Sequence, residues 1–302
     1  MAGLRQGAWT PPQGPPAGAT DGPLALICGG GTVPIAVADA ALRRGRRVVL
    51  FPVRGWADPA DVEPYPHHWI ALVQGGRFLR HARAEGCRDV VFIGTAVRPP
   101  LRSLRIDWTT LRLLPAIWRS YRGGDDHLLS GIARIFHDHG FRIVGAHEVA
   151  PEILMPEGQI GSLAPSERDR ADIARGLALL RAIGAFDVGQ AAVVAANHVL
   201  GVEAAEGTDG LLARIAQLRE RGRIPTPAGV GVLVKAPKTD QDRRFDLPAI
   251  GPKTVTEAAR AGLAGIAVAA GSAIVAEPAE VAKAADRAKI FVFGIAEDRT
   301  PL

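Results

Sequence analysis

Short apolar runs alternate with segments of helical periodicity along the first third of the chain. Three of these runs, Leu24–Cys28, Arg47–Phe51 and Asp89–Gly94, are predicted to be buried strands. An Ala-rich helical segment that ends near Gly45 separates the first two runs, and a second helical segment that ends at Gly86 separates the last two. Because consecutive βαβ units place their strands side by side, this pattern predicts a parallel, doubly wound sheet.

The alternation continues after a turn-rich stretch at residues 151–165, which predicts a change of module. A long helix is predicted from Ser166, a favourable N-cap residue, to Ile183, which precedes Gly184. The remaining predicted elements are a helix over about 111–139, strands at 141–144, 191–195, 199–202, 230–234, 265–269 and 289–294, a helix that opens at 207–209 and a helix at 254–261.

These elements divide the chain into three parts. Residues 1–23 contain five prolines interleaved with five glycines and have no apolar run, so they are predicted to form a disordered extension. Residues 24–145 are predicted to form a Rossmann-like amino-terminal domain and residues 146–302 a second α/β domain. The fold class is therefore α/β, and we expect a substrate cleft between the two domains.

Composition and charge narrow the classes of partner. The chain has 36 Lys and Arg against 31 Asp and Glu, which favours anionic partners. Nucleic acid is not expected as the main ligand, because there is neither an aromatic RNA-reading strand nor a Cys/His array. The two cysteines, Cys28 and Cys87, form no disulfide framework, which favours a cytoplasmic location. No apolar run reaches 18 residues, so a membrane-spanning helix is not expected.

A glycine turn follows the first predicted strand. Gly30, Gly31 and Thr32 precede a predicted helix, where backbone N–H groups and the helix dipole can receive an anion. The dinucleotide fingerprint is incomplete, since Pro34 stands where its third glycine would fall and Pro52, not an acid, follows the second strand. This disfavours an NAD-dependent oxidoreductase. A phosphate or sugar site and a turn without a ligand both remain open.

A second polar segment lies between a predicted strand and the helix that opens at 207–209. It delivers the carboxylates of Glu203 and Glu206 to a turn at Gly207, next to Thr208 and Asp209. These groups are predicted to contact a polar ligand. N-capping of the helix by Thr208 or Asp209 is the alternative, and it would leave the two glutamates unexplained.

The densest group of charged residues follows the strand predicted at 230–234. Lys235 and Lys238, with two arginines, could clamp a diphosphate, while Asp240, Asp242 and Asp246 could hold a divalent cation or orient a water. Magnesium is the ion that suits oxygen ligands and phosphates. The alternative is a solvated charged loop.

Two further features have open interpretations. His147 follows a predicted strand at the domain junction, and it is either a cleft residue or a structural histidine. The segment 98–122 carries six arginines and two tryptophans with a single acid. It is interpreted either as an amphipathic helix with a solvated basic face or as a helix that contacts an anionic membrane.

Several motifs, taken together and in order, resemble the LpxI family. They are Leu26–Pro34, Gly145–Val149, Asp187–Val194, Glu203–Asp209, Lys235–Lys238 and Asp246–Gly251. Members of this family are UDP-2,3-diacylglucosamine pyrophosphatases of lipid A biosynthesis. The resemblance implies a magnesium-dependent hydrolase that splits UDP-2,3-diacylglucosamine into UMP and 2,3-diacylglucosamine 1-phosphate (lipid X). It also implies two α/β domains that close over the substrate, a homodimer, and Asp246 as the essential aspartate.

The resemblance and the residues together give the expected site. Asp246 binds magnesium or orients the attacking water, and Lys235 and Lys238 neutralise charge on the diphosphate. The expected substrate-binding residues are Gly30, Gly31, Thr32, Gln190, Glu203, Gly207, Thr208 and Asp209. The expected location is the cytoplasm, with peripheral contact at the inner face of the inner membrane. The alternative function is a nucleotide-sugar-binding protein without turnover.

Overall fold

The computed structural model describes residues 22–71, 74–94, 125–186, 188–238, 242–245 and 247–296, with backbone alone over 125–131. The predicted extension at 1–23 and the basic segment at 98–122 lie almost entirely outside the described residues. The elements form two main sheets, called here the first and the second sheet, and a small two-stranded sheet whose strands lie within the chain span of the second sheet.

The first sheet is parallel and doubly wound, with strand order β2-β1-β3-β4. Its strands are β1 (Leu24–Cys28), β2 (Val48–Pro52), β3 (Asp89–Ile93) and β4 (Arg142–Ile143). The helices of this part are α1 (Val33–Arg43), α2 (Pro59–Val62), α3 (Gly75–Ala84), α4 (Asp125–Asp138) and α5 (Ala146–Val149). The predicted α/β fold with a doubly wound amino-terminal sheet is confirmed.

Helices cover both faces of the first sheet, which explains why its strands are apolar without alternation. Leu26 and Leu50 point to the face that packs against Val37 and neighbouring alanines of α1. Phe51 points to the opposite face and packs against Phe78 of α3. Burying both faces in this way is the main stabilisation of the sheet.

The second sheet is mixed, with strand order β5-β12-β10-β8-β6-β7. The elements of this part, in chain order, are β5 (Gly158–Ile160), α6 (Glu167–Ile183), β6 (Ala191–Ala195), β7 (His198–Val202), α7 (Gly207–Glu220), β8 (Val232–Lys235), β9 (Ala249–Ile250), α8 (Pro252–Arg260), β10 (Gly265–Ala269), β11 (Ile274–Val275), α9 (Pro278–Ala288) and β12 (Phe291–Ile295). Strands β8, β10 and β12 are parallel, whereas β6 runs antiparallel to β8 and β7 antiparallel to β6.

Helix α6 covers one face of the second sheet, and α7, α8 and α9 cover the other. The predicted cap of α6 is confirmed: the Ser166 hydroxyl donates to Asp169 Oδ2 over 2.6 Å, and the Asp169 N–H donates back to Ser166 Oγ over 3.3 Å. Gly176 lets this helix approach β8, since a Cβ there would lie 2.6 Å from Val234 Cγ2.

The two parts share one apolar cluster. Ile274 of β11 is buried together with Leu24 and Val37 of the first part, and Leu247 and Ala249 pack against the same cluster. Strands β9 and β11 pair with each other in the small parallel sheet. The segment that carries β9 is therefore anchored on the first part of the protein.

Cys28 and Cys87 are both free and buried. Burial raises the pKa of the Cys28 thiol to about 12 and that of the Cys87 thiol to about 11. Within the described ranges, no helix has the length and apolar character needed to cross a membrane.

Candidate functional site

One edge of the second sheet collects four of the residues predicted to form the site. Strand β8 ends at Lys235, and Glu203 directly follows β7. Because β6 is antiparallel to both neighbours, its first residues, just after Gln190, lie at the same edge. Helix α7 begins there and contributes Thr208. We call Gln190, Glu203, Thr208 and Lys235 the polar edge.

Hydrogen bonds link the four residues of the polar edge in one chain. Lys235 Nζ donates to Thr208 Oγ1 over 2.8 Å and to the carbonyl oxygen of Ala249 over 3.0 Å. Thr208 Oγ1 donates to Glu203 Oε1 over 2.7 Å, and the Gln190 N–H donates to Glu203 Oε2 over 2.8 Å. Lys235 is only 6% exposed, and these contacts help to compensate the burial of its ammonium.

A glycine that the sequence analysis did not single out shapes the same edge. A Cβ on Gly189 would lie 2.7 Å from the carbonyl carbon of Glu203, closer than real Cβ contacts allow. This close approach brings the backbone of residue 190 within reach of the Glu203 carboxylate. The position of Gly189 in the predicted motif 187–194 was the available signal.

Asp209 and Gly207 stand beside the polar edge but are not part of its chain of hydrogen bonds. Asp209 Oδ2 accepts from Lys253 Nζ over 2.6 Å, and both side chains are exposed. This hydrogen bond raises the pKa of Lys253. The N-cap of α7 is Glu206, and Thr208 and Asp209 lie inside the helix, so the alternative in which one of them is the N-cap is wrong.

The charged loop between β8 and β9 contains the predicted catalytic aspartate. Asp246 and Asp240 lie outside the described residues, and Lys238 is half-buried near the start of the loop. Both neighbours of Asp246 contact the first part of the protein: the Phe245 ring lies 5.5 Å from that of Phe92 in β3, and Leu247 packs against the shared apolar cluster.

Asp242 is paired inside this loop. Arg244 Nη2 donates to Asp242 Oδ2 over 2.7 Å, and Arg244 hydrogen bonds hold the pKa of the Asp242 carboxyl below its ordinary value. The same hydrogen bond raises the pKa of Arg244. Phe245 contacts β3, whereas Arg243 and Arg244 are exposed, so the alternative of a solvated charged loop stays a prediction for this segment.

The glycine turn of the first sheet forms a second, separate group. Gly31 has a left-handed backbone at φ +92°, and Thr32 is the N-cap of α1 with its side chain exposed. Gly94, after β3, approaches the turn so closely that a Cβ on it would lie 2.9 Å from the carbonyl oxygen of Gly30. The turn lies between β1 and β3, where the strand order reverses, and this is where open α/β sheets bind ligands.

A cavity of about 410 Å³ beside β4 was not foreseen from the sequence. Its charged lining consists of Arg44, Arg46, Arg142, Arg244, Asp89 and Glu148. Asp89 is 2% exposed and binds Arg46 and Arg142. His147 lies next to this lining and folds over Gly145, where a Cβ would collide with the imidazole. Among the described residues, His147 Nδ1 is buried without a hydrogen-bond partner, so both interpretations of His147 stay predictions.

The described residues contain no group of three or more His, Cys, Asp or Glu that could hold a metal ion. Both Glu203 carboxylate oxygens accept hydrogen bonds from the protein, and Asp242 is paired with Arg244. The donor set of the described residues therefore does not by itself fit a magnesium site. The magnesium prediction rests on Asp246 and stays a prediction.

A doubly wound sheet joined to a mixed second sheet, each with a polar group at one edge, defines a two-domain α/β protein. Family models match both parts: the LpxI N-terminal domain over residues 23–153 and the LpxI C-terminal domain over residues 156–293. The chain therefore belongs to the LpxI family, and the resemblance in its motifs is confirmed. The two models meet between residues 153 and 156, and the boundary at 145/146 stays a prediction.

A curated relative agrees with this assignment. The chain is 41% identical over 278 residues to the UDP-2,3-diacylglucosamine pyrophosphatase LpxI of Caulobacter vibrioides, and the match covers 92% of this chain and 99% of that protein. Among solved structures, the UDP-glucose 4-epimerase of Thermus thermophilus in complex with NAD is 11% identical and covers 93% of this chain and 88% of its own, with a TM-score of 0.30. That value is too low to support an argument about fold or function.

Proposed function

We propose that this protein hydrolyses the diphosphate bond of UDP-2,3-diacylglucosamine, and so releases UMP and 2,3-diacylglucosamine 1-phosphate for lipid A biosynthesis. The observation that carries the proposal is the 41% identity to the Caulobacter relative over 92% of the chain, with both family domains present in order. The chain would act as a pyrophosphatase in which water attacks phosphorus.

The loop that follows β8 carries the chemistry in this proposal. Asp246 binds a metal ion or orients the attacking water, and Lys238 supplies positive charge to the diphosphate. The placement of Phe245 and Leu247 against the first part of the protein supports a position for Asp246 at the junction of the two domains. Cleavage of a diphosphate moves negative charge between its two phosphates. Charged groups held in fixed positions stabilise this movement of charge.

The proposed substrate contacts come from both sheets. Gly30, Gly31 and Thr32 stand at the start of α1, where unsatisfied N–H groups of a helix favour an anion. Gly207 and Asp209 lie at the start of α7, on either side of Thr208 in the sequence. In this proposal they contact the sugar or the nucleotide. Gly31, Thr32 and Asp209 are exposed, which supports an approach by a ligand from solvent.

We also propose that magnesium is the cofactor, held by Asp246 with oxygen atoms of the substrate. The support is the family resemblance and the preference of this ion for phosphate and carboxylate oxygens. When bound, magnesium would act as a Lewis acid on the phosphoryl oxygens.

The decisive experiment measures UMP release from UDP-2,3-diacylglucosamine by the purified protein, with magnesium and with EDTA. We expect release with magnesium and none with EDTA. Asp246→Asn should abolish release, whereas Asp138→Asn, at an exposed aspartate of α4, serves as the matched control and should keep the rate. Full activity of a folded Asp246→Asn protein would refute the role of Asp246. Substrate binding by the wild type without product would instead favour the non-catalytic nucleotide-sugar-binding protein.

We further propose a homodimer that contacts the inner face of the inner membrane peripherally. The acyl chains of the substrate support this location, because they partition into a bilayer. Light scattering of the purified protein tests the dimer. Flotation with phosphatidylglycerol vesicles tests the contact, with phosphatidylcholine vesicles as the control. If the protein floats with neither type of vesicle, the proposed membrane contact is contradicted.

A further inference from the structure

The loop 236–248, which contains Asp246, joins strands of two different sheets. Strand β8 belongs to the six-stranded second sheet, whereas β9 pairs with β11 in the small sheet. The ends of the loop are therefore not held together by a strand ladder. Instead, a side chain spans them: Lys235 Nζ, at the start of the loop, donates to the carbonyl oxygen of Ala249, directly after its end, over 3.0 Å.

Lys235 is itself held by two further residues of the polar edge. Its ammonium donates to Thr208 Oγ1, and because that oxygen accepts, the hydroxyl proton is directed to Glu203 Oε1. Glu203 is fixed on both sides, since its backbone N–H donates to Ala191 over 2.8 Å and its carboxylate accepts from residue 190. The charges of the buried Lys235 and the half-buried Glu203 thus compensate each other across one hydroxyl group.

We propose that Glu203, Thr208 and Lys235 form a positioning network that holds the two ends of the loop 236–248 and thereby sets the place of Asp246. The inference rests on the proposed function. It replaces the expected contact of these three residues with the substrate: Lys235 is almost fully buried and Thr208 lies between two charged groups of the protein. They act on the reaction through the loop.

Loss of the Thr208 hydroxyl alone should have a large effect on the rate. Removing the Thr208 hydroxyl takes one hydrogen-bond partner from the buried Lys235 ammonium and one from the half-buried Glu203 carboxylate. The ammonium then moves toward a new partner, and its bond to Ala249 is lost or lengthened. A misplacement of a catalytic group by roughly 1 Å can lower a rate by about 100-fold, whereas binding of a substrate that does not touch these residues is unaffected.

The test compares Thr208→Val, which keeps the shape and removes the hydroxyl, with Thr208→Ser, which keeps the hydroxyl. For Thr208→Val we expect kcat for UMP release to fall by about 10- to 100-fold with KM changed by less than about twofold. We also expect faster amide hydrogen exchange in peptides that cover 236–248. Thr208→Ser should remain within about threefold of the wild type in kcat, because the bridge is kept.

Two results would overturn the network. A raised KM with unchanged kcat in Thr208→Val would mean that Thr208 binds the substrate directly. Unchanged kcat together with unchanged exchange in 236–248 would mean that the hydroxyl positions nothing. If Thr208→Val does not fold, Glu203→Gln provides the second variant, since it keeps the shape and removes the charge, and the same fall in kcat is expected. If the wild type releases no UMP, the proposed function fails, while hydrogen exchange still decides whether the network holds the loop.

Discussion

The ring of Phe245 lies 5.5 Å from the ring of Phe92, with 44° between the two planes. Phe92 belongs to the first sheet and in turn contacts Phe136 of α4 at 5.2 Å, so the residue that precedes Asp246 rests on an aromatic cluster of the other domain. The position of the proposed catalytic loop therefore depends on both domains. A change in the packing of the two domains should therefore alter the geometry of the loop and the rate that depends on Asp246.

Phe245→Ala should lower the rate of UMP release by about 10-fold, because the loop loses its contact with β3. Loss of one aromatic pair should also lower the free energy of unfolding by about 1 kcal/mol, measured by urea denaturation. Phe186→Ala is the matched control, since Phe186 is 78% exposed and should change neither quantity. Equal effects of the two substitutions would contradict a specific role for Phe245.

Asp89 should make the stability of the protein depend on pH. Burial of its carboxyl acts to raise the pKa, but hydrogen bonds from Arg142 and Arg46 outweigh burial and hold the pKa below its ordinary value of 3.8. A lowered pKa in the folded state stabilises folding above pH 3.8, and this contribution is lost as the pH falls further toward the folded pKa.

Asp89→Asn should therefore lower the free energy of unfolding by about 3 kcal/mol at pH 7, near the lower end for a buried pair because Arg142 is largely exposed. The difference in Tm between the wild type and this variant should shrink when both are melted at pH 3. A constant difference between pH 7 and pH 3 would show that the charge of Asp89 is not what stabilises the fold.

Gly189→Ala should disturb the polar edge without changing any of its polar groups. The new methyl group would collide with the backbone of Glu203, and relief of the collision moves the Glu203 carboxylate away from residue 190. We expect a loss of about 1–3 kcal/mol in stability and a fall in UMP release. Gly251→Ala is the control, since a Cβ there meets nothing closer than 3.7 Å. Normal activity and stability of Gly189→Ala would contradict the close approach.

Asp172 should prove essential for the β6–β7 hairpin. Its fully buried carboxylate accepts the backbone N–H groups of Ala196 and Asn197, which form the turn with left-handed backbones at φ +50° and +63°. Asp172→Ala removes the acceptor of two backbone donors in a strained turn, which should lower the free energy of unfolding by about 1–3 kcal/mol in urea denaturation. Asn197→Gly should be tolerated, because glycine adopts the left-handed conformation readily. An unchanged free energy of unfolding in Asp172→Ala would show that the turn is stable without this carboxylate.

Elements with strong local signals were predicted well. The first strand was predicted at Leu24–Cys28 and is found there, and the long helix starts after its predicted cap, Ser166. Both depend on residues close together in the chain: an apolar run between turns, and a hydroxyl with an acid three positions later. The same holds for the hairpin of β6 and β7, whose two strands were predicted within one residue of their observed ends.

Other elements were missed for physical reasons. Strands β9 and β11 have two residues each and β5 has three, too few to show a period of two. Helix α9 was also missed, although Pro278 at its first turn and the pair Glu280 and Lys283 are helix signals. The strand predicted at 230–234 starts two residues late in the structure, after the left-handed Gly231.

The sequence identified the polar residues of the site but not their partners. Lys235 was expected to face the diphosphate, and its bond to the carbonyl oxygen of Ala249 depends on how β9 packs in the fold. Asp209 was expected beside Thr208 in one site, yet it pairs with Lys253, far away in the chain. Helical geometry explains this difference, since adjacent positions on a helix point in different directions.

The buried thiols of Cys28 and Cys87 have a practical consequence. Only the thiolate reacts with maleimides or thiosulfonate spin labels, and the raised pKa values keep both thiols protonated at neutral pH in the folded protein. Leu42, on the first domain, and Phe186, on the second, are exposed positions where Leu42→Cys and Phe186→Cys would accept such labels. The two native cysteines should therefore remain unlabelled, and labels should attach at the two introduced cysteines. Spectroscopic distance measurements between these labels can then follow the separation of the domains during turnover, without replacement of a native cysteine.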